Sequence, residues 1–155
     1  MFKTIIWASD GSGSADLALP YAQRLATGRG HRLVAVHCKE ILVGRAGGAP
    51  LLADEPEIEE KIKRQVETAH ASGIDATLRV VTAAAPNAAH AIAEVARDVE
   101  ADTIVTGTRG HTPAAGLLLG SVAQRLLHIA PCPILVVPAT KAAARVERQK
   151  AVGVA

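Results

Sequence analysis

The sequence predicts an α/β domain: a parallel β-sheet covered by helices on both faces. Compact apolar runs, several rich in Val and Ile, recur along the chain and have the length of buried strands. Between them lie longer stretches whose apolar residues return at helical spacing. Runs and stretches alternate one for one, the order that strand-helix-strand units produce.

The first predicted strand is Lys3 to Ser9, which ends in Asp10-Gly11. Ser12 or Ser14 can cap the helix that follows, in which Leu17, Ala18, Tyr21, Ala22 and Leu25 form one stripe before Gly28 and Gly30 stop it. His31 to Cys38 is the second strand. Residues 39–53 contain Gly44, Gly47, Gly48 and Pro50 and read as a mobile loop. Asp54 then offers a cap with Glu57 three residues on, and Ile58, Ile62, Val66 and Ala69 draw a stripe that closes at Gly73. The acidic Glu55 to Glu60, followed by Lys61, Lys63 and Arg64, suits the helix dipole and supplies i,i+4 pairs, so it reads as a solvated face. Ala76 to Thr82 is the third strand, and Pro86 to Val99 is a helix with Ile92, Val95, Ala96 and Val99 inward. Asp102 to Thr106 is the fourth strand. A helix from Val122 to Ala130 precedes the fifth, Ile134 to Val137, which Pro131-Cys132-Pro133 opens and Pro138 ends.

At 155 residues one core is expected, in a domain spanning 1–138, with 139–155 as an Ala-rich basic C-terminal tail. For that tail a frayed helix and disorder both stay open. Of the 49% hydrophobic residues 31 are Ala, so helices should pack closely on the sheet. No run approaches the roughly 18 apolar residues of a membrane span, and the N-terminus lacks a signal-peptide succession. The expectation is a cytoplasmic protein with no membrane partner. Lys141, Arg145, Arg148 and Lys150 against Glu147 put +3 in the tail, which leaves residues 1–138 at −1 out of a total of +2. A body without a basic face and with few aromatics argues against nucleic acid as partner. Cys38 and Cys132 lack metal-type spacing and read as buried thiols, and the histidines form no HxxxH or HExxH pair.

Between the fourth strand and the last helix, residues 107–121 read Gly-Thr-Arg-Gly-His-Thr-Pro-Ala-Ala-Gly-Leu-Leu-Leu-Gly-Ser. Glycines let backbone N–H groups approach an anion with no Cβ in the way, and the following helix aims its unpaired amides at the same spot. The P-loop pattern GxxxxGK[ST] is absent, since no lysine lies between residues 64 and 140. The dinucleotide fingerprint is half imitated by Gly11-Ser12-Gly13, but its third glycine is replaced by Asp16. A pyrophosphatase-type loop fails because Asp10 is misplaced. The spacing that does hold is Gly107-x2-Gly110-x9-Gly120-Ser121.

That pattern resembles the ATP-binding motif of the universal stress protein family. The resemblance also covers Ala8-Ser9-Asp10 at the end of the first strand, Val36-His37-Cys38 at the end of the second, and the closing segment Ser121 to Pro138. It implies an open, doubly wound, five-stranded parallel sheet in the order 3-2-1-4-5. Such a fold is Rossmann-like, or adenine nucleotide alpha hydrolase-like, usually dimeric, with ATP at the carboxyl ends of the strands. In that order the winding reverses between the first and fourth strands, so a crevice opens where Ser9-Asp10 and the glycine loop emerge.

By the same resemblance, adenine and ribose lie against Ala8, Ser9 and Asp10, and Cys38 lines the adenine pocket through its backbone. Thr106 and Gly107 touch the ribose side, while Gly110, Gly120, Ser121 and Val122 hold the phosphates. Asp10 is the one carboxylate expected in the crevice, for a ribose hydroxyl or a Mg²⁺ ion; a turn aspartate bonding its own backbone two residues on is the alternative. Arg109 and His111 are the loop's only charged or titratable side chains and screen phosphate charge or face solvent. The loop has no lysine, so ATP is expected with Mg²⁺. The loop also lacks an Asp or Glu base, which favours a nucleotide-dependent stress-response or signalling module with at most slow hydrolysis. The alternatives are a slow ATPase or phosphotransferase, and a nucleotide-independent dimeric scaffold. A homodimer through the edge strand 134–137 is expected in each case, with a further protein partner unidentified.

Overall fold

The structure, a computed structural model, describes residues 2–45, 47–110 and 119–139. His111 and all but the first residue of the predicted tail lie outside the described residues. The elements are β1 (Thr4–Ala8), α1 (Gly13–Leu25), β2 (Arg32–Gly44), β3 (Gly47–Pro50), α2 (Glu55–Ala71), β4 (Ala76–Ala84), α3 (Ala88–Asp98), β5 (Thr103–Gly107), α4 (Ser121–Ile129) and β6 (Ile134–Val137).

The five parallel strands run in the order β4-β2-β1-β5-β6, the doubly wound arrangement expected from the sequence. The sheet has a sixth member that was not expected. Instead of a loop over 39–53, β2 runs on to Gly44 and β3 returns antiparallel beside it, pairing Ile41 with Pro50 and Gly44 with Gly47. Ile41, Leu42 and Val43 continue the strand-forming run of β2, and Gly47, at φ +110°, takes a backbone geometry that other residues rarely adopt. The glycines mark a hairpin turn, not a free loop.

β1 is buried on both faces, which is why it is apolar without alternation. Ile5, Trp7, Leu33 and Ala35 face α1 and α2, where they meet Ala18, Ala22, Ile58 and Ile62. Ile6, Val34, Val36 and Ile104 face α3 and α4, against Ile92, Ala93, Ala96 and Leu126. Alanines on α1 and α3 let both helices lie close to the sheet. The buried Trp7 indole donates to the Ala15 carbonyl at 3.0 Å, so its one polar group is answered. Ser12 is the cap of α1, accepting from the Ala15 amide at 3.3 Å, while Asp54 precedes α2 without making a side-chain cap.

At the opposite end of the sheet from the strands' carboxyl termini, Asp102 ties β5 to β1. Its carboxylate accepts from the Lys3 and Thr4 amides at 2.9 and 2.8 Å, and its own amide donates to the Thr4 carbonyl at 2.9 Å. The Thr4 amide first, then the Lys3 amide, hold the carboxyl below its usual range. A carboxyl lowered on folding contributes stability above its unfolded value of about 4, and that contribution disappears as pH falls through the lower folded value. Urea unfolding should therefore show Asp102→Ala less stable than the parent at neutral pH, with the gap narrowing steadily in acid.

Candidate functional site

A cleft of about 380 Å³ opens at the carboxyl ends of β1, β2 and β5. Its position follows from topology: β1 leads into α1 on one face, β5 leads towards α4 on the other, and the space between is left uncovered. The end of β1 contributes Ala8, Ser9 and Asp10, and β2 contributes Cys38. From β5 and the loop come Thr106, Gly107, Arg109 and Gly110, and from the head of α4 come Gly120, Ser121 and Val122. All eleven described residues singled out in the sequence thus border one cavity.

The loop glycines are required by close approach. A Cβ on Gly107 would sit 2.4 to 2.6 Å from Ser14 Oγ, O and C, so α1 packs directly on that backbone. On Gly110 it would meet Asp10 Oδ2 at 2.6 Å, and on Gly120 the Thr108 carbonyl at 3.2 Å. Two loop amides are already engaged by the protein: Arg109 N–H donates to Ser14 Oγ of α1 at 3.2 Å and Gly120 N–H to the Thr108 carbonyl within the loop. The Ser121, Val122 and Ala123 amides head α4, and the first intrahelical bond there is made by Gln124 to the Gly120 carbonyl. No side chain caps this helix among the described residues.

Asp10 takes the turn geometry held open as an alternative, with Oδ1 accepting from the Ser12 amide at 3.0 Å. The β1–α1 loop is fixed further from α2, where Lys61 Nζ donates to the Gly11 carbonyl at 2.7 Å and to Asp16 at 2.6 Å. Gly11, at φ +78°, lies against Ile58.

β2 exposes part of its edge in the cleft. In a parallel sheet alternate residues direct their peptide groups to opposite neighbours. Leu33 and Ile41 bond towards β4, whereas Arg32 bonds Lys3 and Val36 bonds Ser9 on the β1 side. Glu40 continues on that side, its carbonyl accepting from Leu51 beyond β3 at 2.8 Å. Cys38 falls between, after β1 has ended and before the hairpin returns, so its N–H and C=O face the cavity.

Asp10 is not the only acid here, contrary to expectation: Glu40 and Glu55 also border the cleft. Glu40 Oε1 accepts from the Ala88 amide at 3.2 Å and so answers the first turn of α3. Glu55 is not part of a solvated face. It is 5% exposed and bonds His37, itself 1% exposed, through Nε2 and Oε1. His37 Nδ1 lies 2.9 Å from the Ser9 carbonyl, an acceptor only, so Nδ1 carries a proton and the Nε2–Oε1 contact shares one more. Sequence reasoning missed this pair because charge grouped Glu55 with the acidic run up to Glu60, although its spacing, three residues before Ile58 and seven before Ile62, puts it on the buried stripe of α2. Strand parity contains the missing signal: His37 shares a face with Leu33 and Ala35, and a histidine buried there needs a partner from the first turn of the covering helix. Leu51 and Leu52, which the loop reading of 39–53 had hidden, complete an apolar lining with Ala88 and Ile92.

The architecture is that of an open α/β domain with a cleft at the reversal of winding. A family model for the Universal stress protein family matches residues 1–138, and the chain belongs to that family. It is 37% identical over 145 residues to the "Universal stress protein in QAH/OAS sulfhydrylase 3'region" of Thermus aquaticus, covering 88% of this chain and 99% of the relative. A universal stress protein solved in complex with cAMP superposes with a TM-score of 0.62 at 27% identity, covering 88% of this chain and 96% of the other. The universal stress protein from Archaeoglobus fulgidus in complex with dAMP shares the fold at a TM-score of 0.62 and 20% identity, covering 88% and 97%.

Burial first, then the charges of Glu40 and Glu55, push the Cys38 thiol up to about 11 despite an opposing contact with the Ala83 backbone. Burial and Asp102 likewise raise Cys132. Because the thiolate is the reactive form, alkylation of the folded protein should be slow at neutral pH. Mass spectrometry across a pH series should show Cys38 labelling rise only towards that value.

Proposed function

We propose that the cleft binds an adenine nucleotide, ATP with Mg²⁺, and that the protein works as a nucleotide-dependent stress-response module in the cytoplasm. The observation that carries this reading is the polarity of the cavity. At one end the Cys38 N–H and C=O offer a donor and an acceptor beside the apolar Leu51, Leu52 and Ile92, which suits a flat base with both kinds of edge group. At the other end the uncapped head of α4, with Gly110 and Gly120 beside it, suits phosphate.

The first residues of α2, α3 and α4 all border the cavity, and α2 opens on the Glu55 carboxylate itself, which leaves one helix start open to an anion. Glu40 already answers the start of α3, whereas α4 begins with glycine and an exposed serine. Ser121 supplies a hydroxyl as well as an amide, and Arg109 is the one cation bordering the cleft among the described residues. The relative solved with cAMP supports an adenine nucleotide as the ligand class. No group of three or more His, Cys, Asp or Glu suited to a metal occurs among the described residues. In this reading Mg²⁺ draws most of its oxygens from phosphate and water, with Asp10 at its edge.

Fast hydrolysis needs a base to orient water and cations to meet developing charge. Each carboxylate of the cleft has an oxygen committed to a protein donor and Arg109 is the one Lys or Arg bordering it among the described residues, so turnover should be slow at most. The expected assembly is a homodimer through the edge strand β6, where Leu135 is 38% exposed and Leu127 of the neighbouring α4 is 54% exposed. No helix among the described residues is long and apolar enough to cross a membrane.

Heat denaturation of purified protein followed by chromatography of the supernatant should release adenine nucleotide. Gly120→Val, which drives a side chain into Thr108 and Arg109, should abolish that retention while the dimer survives in sedimentation. Loss of both together would make the loop an interface element and sink the proposal. Under saturating ATP, phosphate release should stay below ~1 s⁻¹, the low end for ordinary enzymes; faster turnover would favour the ATPase reading.

A further inference from the structure

The most unusual group in the cavity wall is Glu55. It is an acidic residue 95% withdrawn from solvent that nevertheless borders the cleft. Oε1 is held by His37, whose other ring nitrogen is anchored on the Ser9 carbonyl. Oε2 has no hydrogen-bond partner among the described residues, and it is not among the sealed, unanswered polar atoms, of which Gln65 Oε1 is the single instance. A buried carboxylate fixed at one oxygen and open at the other is a directed acceptor, since a lone pair withdrawn from water costs free energy until a donor meets it.

Oε2 accepts whichever way the shared proton lies. With the proton on His37, Oε2 belongs to a carboxylate; with the proton on Oε1, Oε2 is the carbonyl oxygen of the acid. A phosphate oxygen is thereby excluded as its partner, because it too only accepts. The partner must be a hydroxyl or an amine on the uncharged half of the ligand. In an adenine nucleotide these are the exocyclic amine and the ribose hydroxyls; the Cys38 carbonyl offers the amine one acceptor, and a deoxy analogue, which keeps the amine, separates its second N–H from a ribose hydroxyl.

We infer that Glu55, oriented by His37, is a specificity-determining residue that accepts a hydrogen bond from a ribose hydroxyl of the bound nucleotide. The inference rests on the nucleotide reading above and adds to it a selection for ribose over deoxyribose. His37 acts as a positioning residue: it touches no ligand atom, and it holds the acceptor against the end of β1.

The test is a comparison of affinities for ATP, 2'-deoxy-ATP and 3'-deoxy-ATP by calorimetry. In the parent protein, loss of one of the two hydroxyls should weaken binding about tenfold or more, the scale of one hydrogen bond to a charged acceptor. Glu55→Gln keeps an acceptor oxygen and can donate its amide to His37, so it should retain the discrimination. Removing one member of a buried pair threatens folding, so the acceptor is best deleted with its partner, in His37→Leu/Glu55→Met, where apolar replacement of both is better tolerated. That double variant, its fold verified by circular dichroism, should bind ATP and the deoxy analogue within about twofold of each other, the scale of a contact no longer made. The inference is overturned if the parent binds all three equally, or if the double variant discriminates as the parent does. A parent that binds no adenine nucleotide overturns the nucleotide reading and this inference with it.

Discussion

β1 stops pairing at Ala8 and β2 does not stop until Gly44. A strand that outruns its neighbour must leave peptide groups without partners, which is costly unless water, a returning chain or a ligand meets them. In this protein the hairpin meets part of the surplus, from Glu40 onward, and the Ser9 amide meets the Val36 carbonyl below it. The short interval at Cys38 is left over. Around that interval stand Leu51 and Leu52 just beyond the hairpin, the β1–α1 loop, and the glycine loop where β5 ends.

The surrounding charges are divided with the same economy. Three carboxylates border the cavity, and each has an oxygen committed to a protein donor: Asp10 to the Ser12 amide, Glu40 to the Ala88 amide, Glu55 to His37. Paired in this way, the acids are anchored and directional, and their net repulsion of an anion is reduced. The head of α4 meanwhile carries no acid in its first turn, so its positive dipole end stays available. Glu40 and Glu55 belong to the side of the cavity that β2 borders, whereas Asp10 meets the glycine loop at Gly110.

Much of this was legible in the sequence. Five parallel strands and their order followed from the alternation of apolar runs with helical stripes together with the motif resemblance, and the glycine spacing singled out the loop. What escaped was of one kind. The hairpin was hidden because Gly44, Gly47 and Gly48 signal a chain reversal equally well in a loop and in a turn, and only pairing with β2 distinguishes the two. Glu55 stands on the α2 stripe by spacing, but its charge grouped it with the acidic run, and the His37 that makes its burial tolerable is distant in sequence and brought near by the packing of α2 on β2. Local rules register periodicity and capping; they do not register a polar contact between a strand and the first turn of a helix that covers it.

Trp7 is the protein's single tryptophan, fully buried in β1 two residues before Ser9, with its indole bonded to α1 at Ala15. Ala15 itself borders the cavity. The chain therefore carries one intrinsic fluorophore at the joint between the first strand and the first helix, with no second indole to dilute its signal. Any rearrangement that shifts α1 against β1 alters the polarity around that ring and its hydrogen bond, and emission colour becomes an optical record of how tightly the joint is closed.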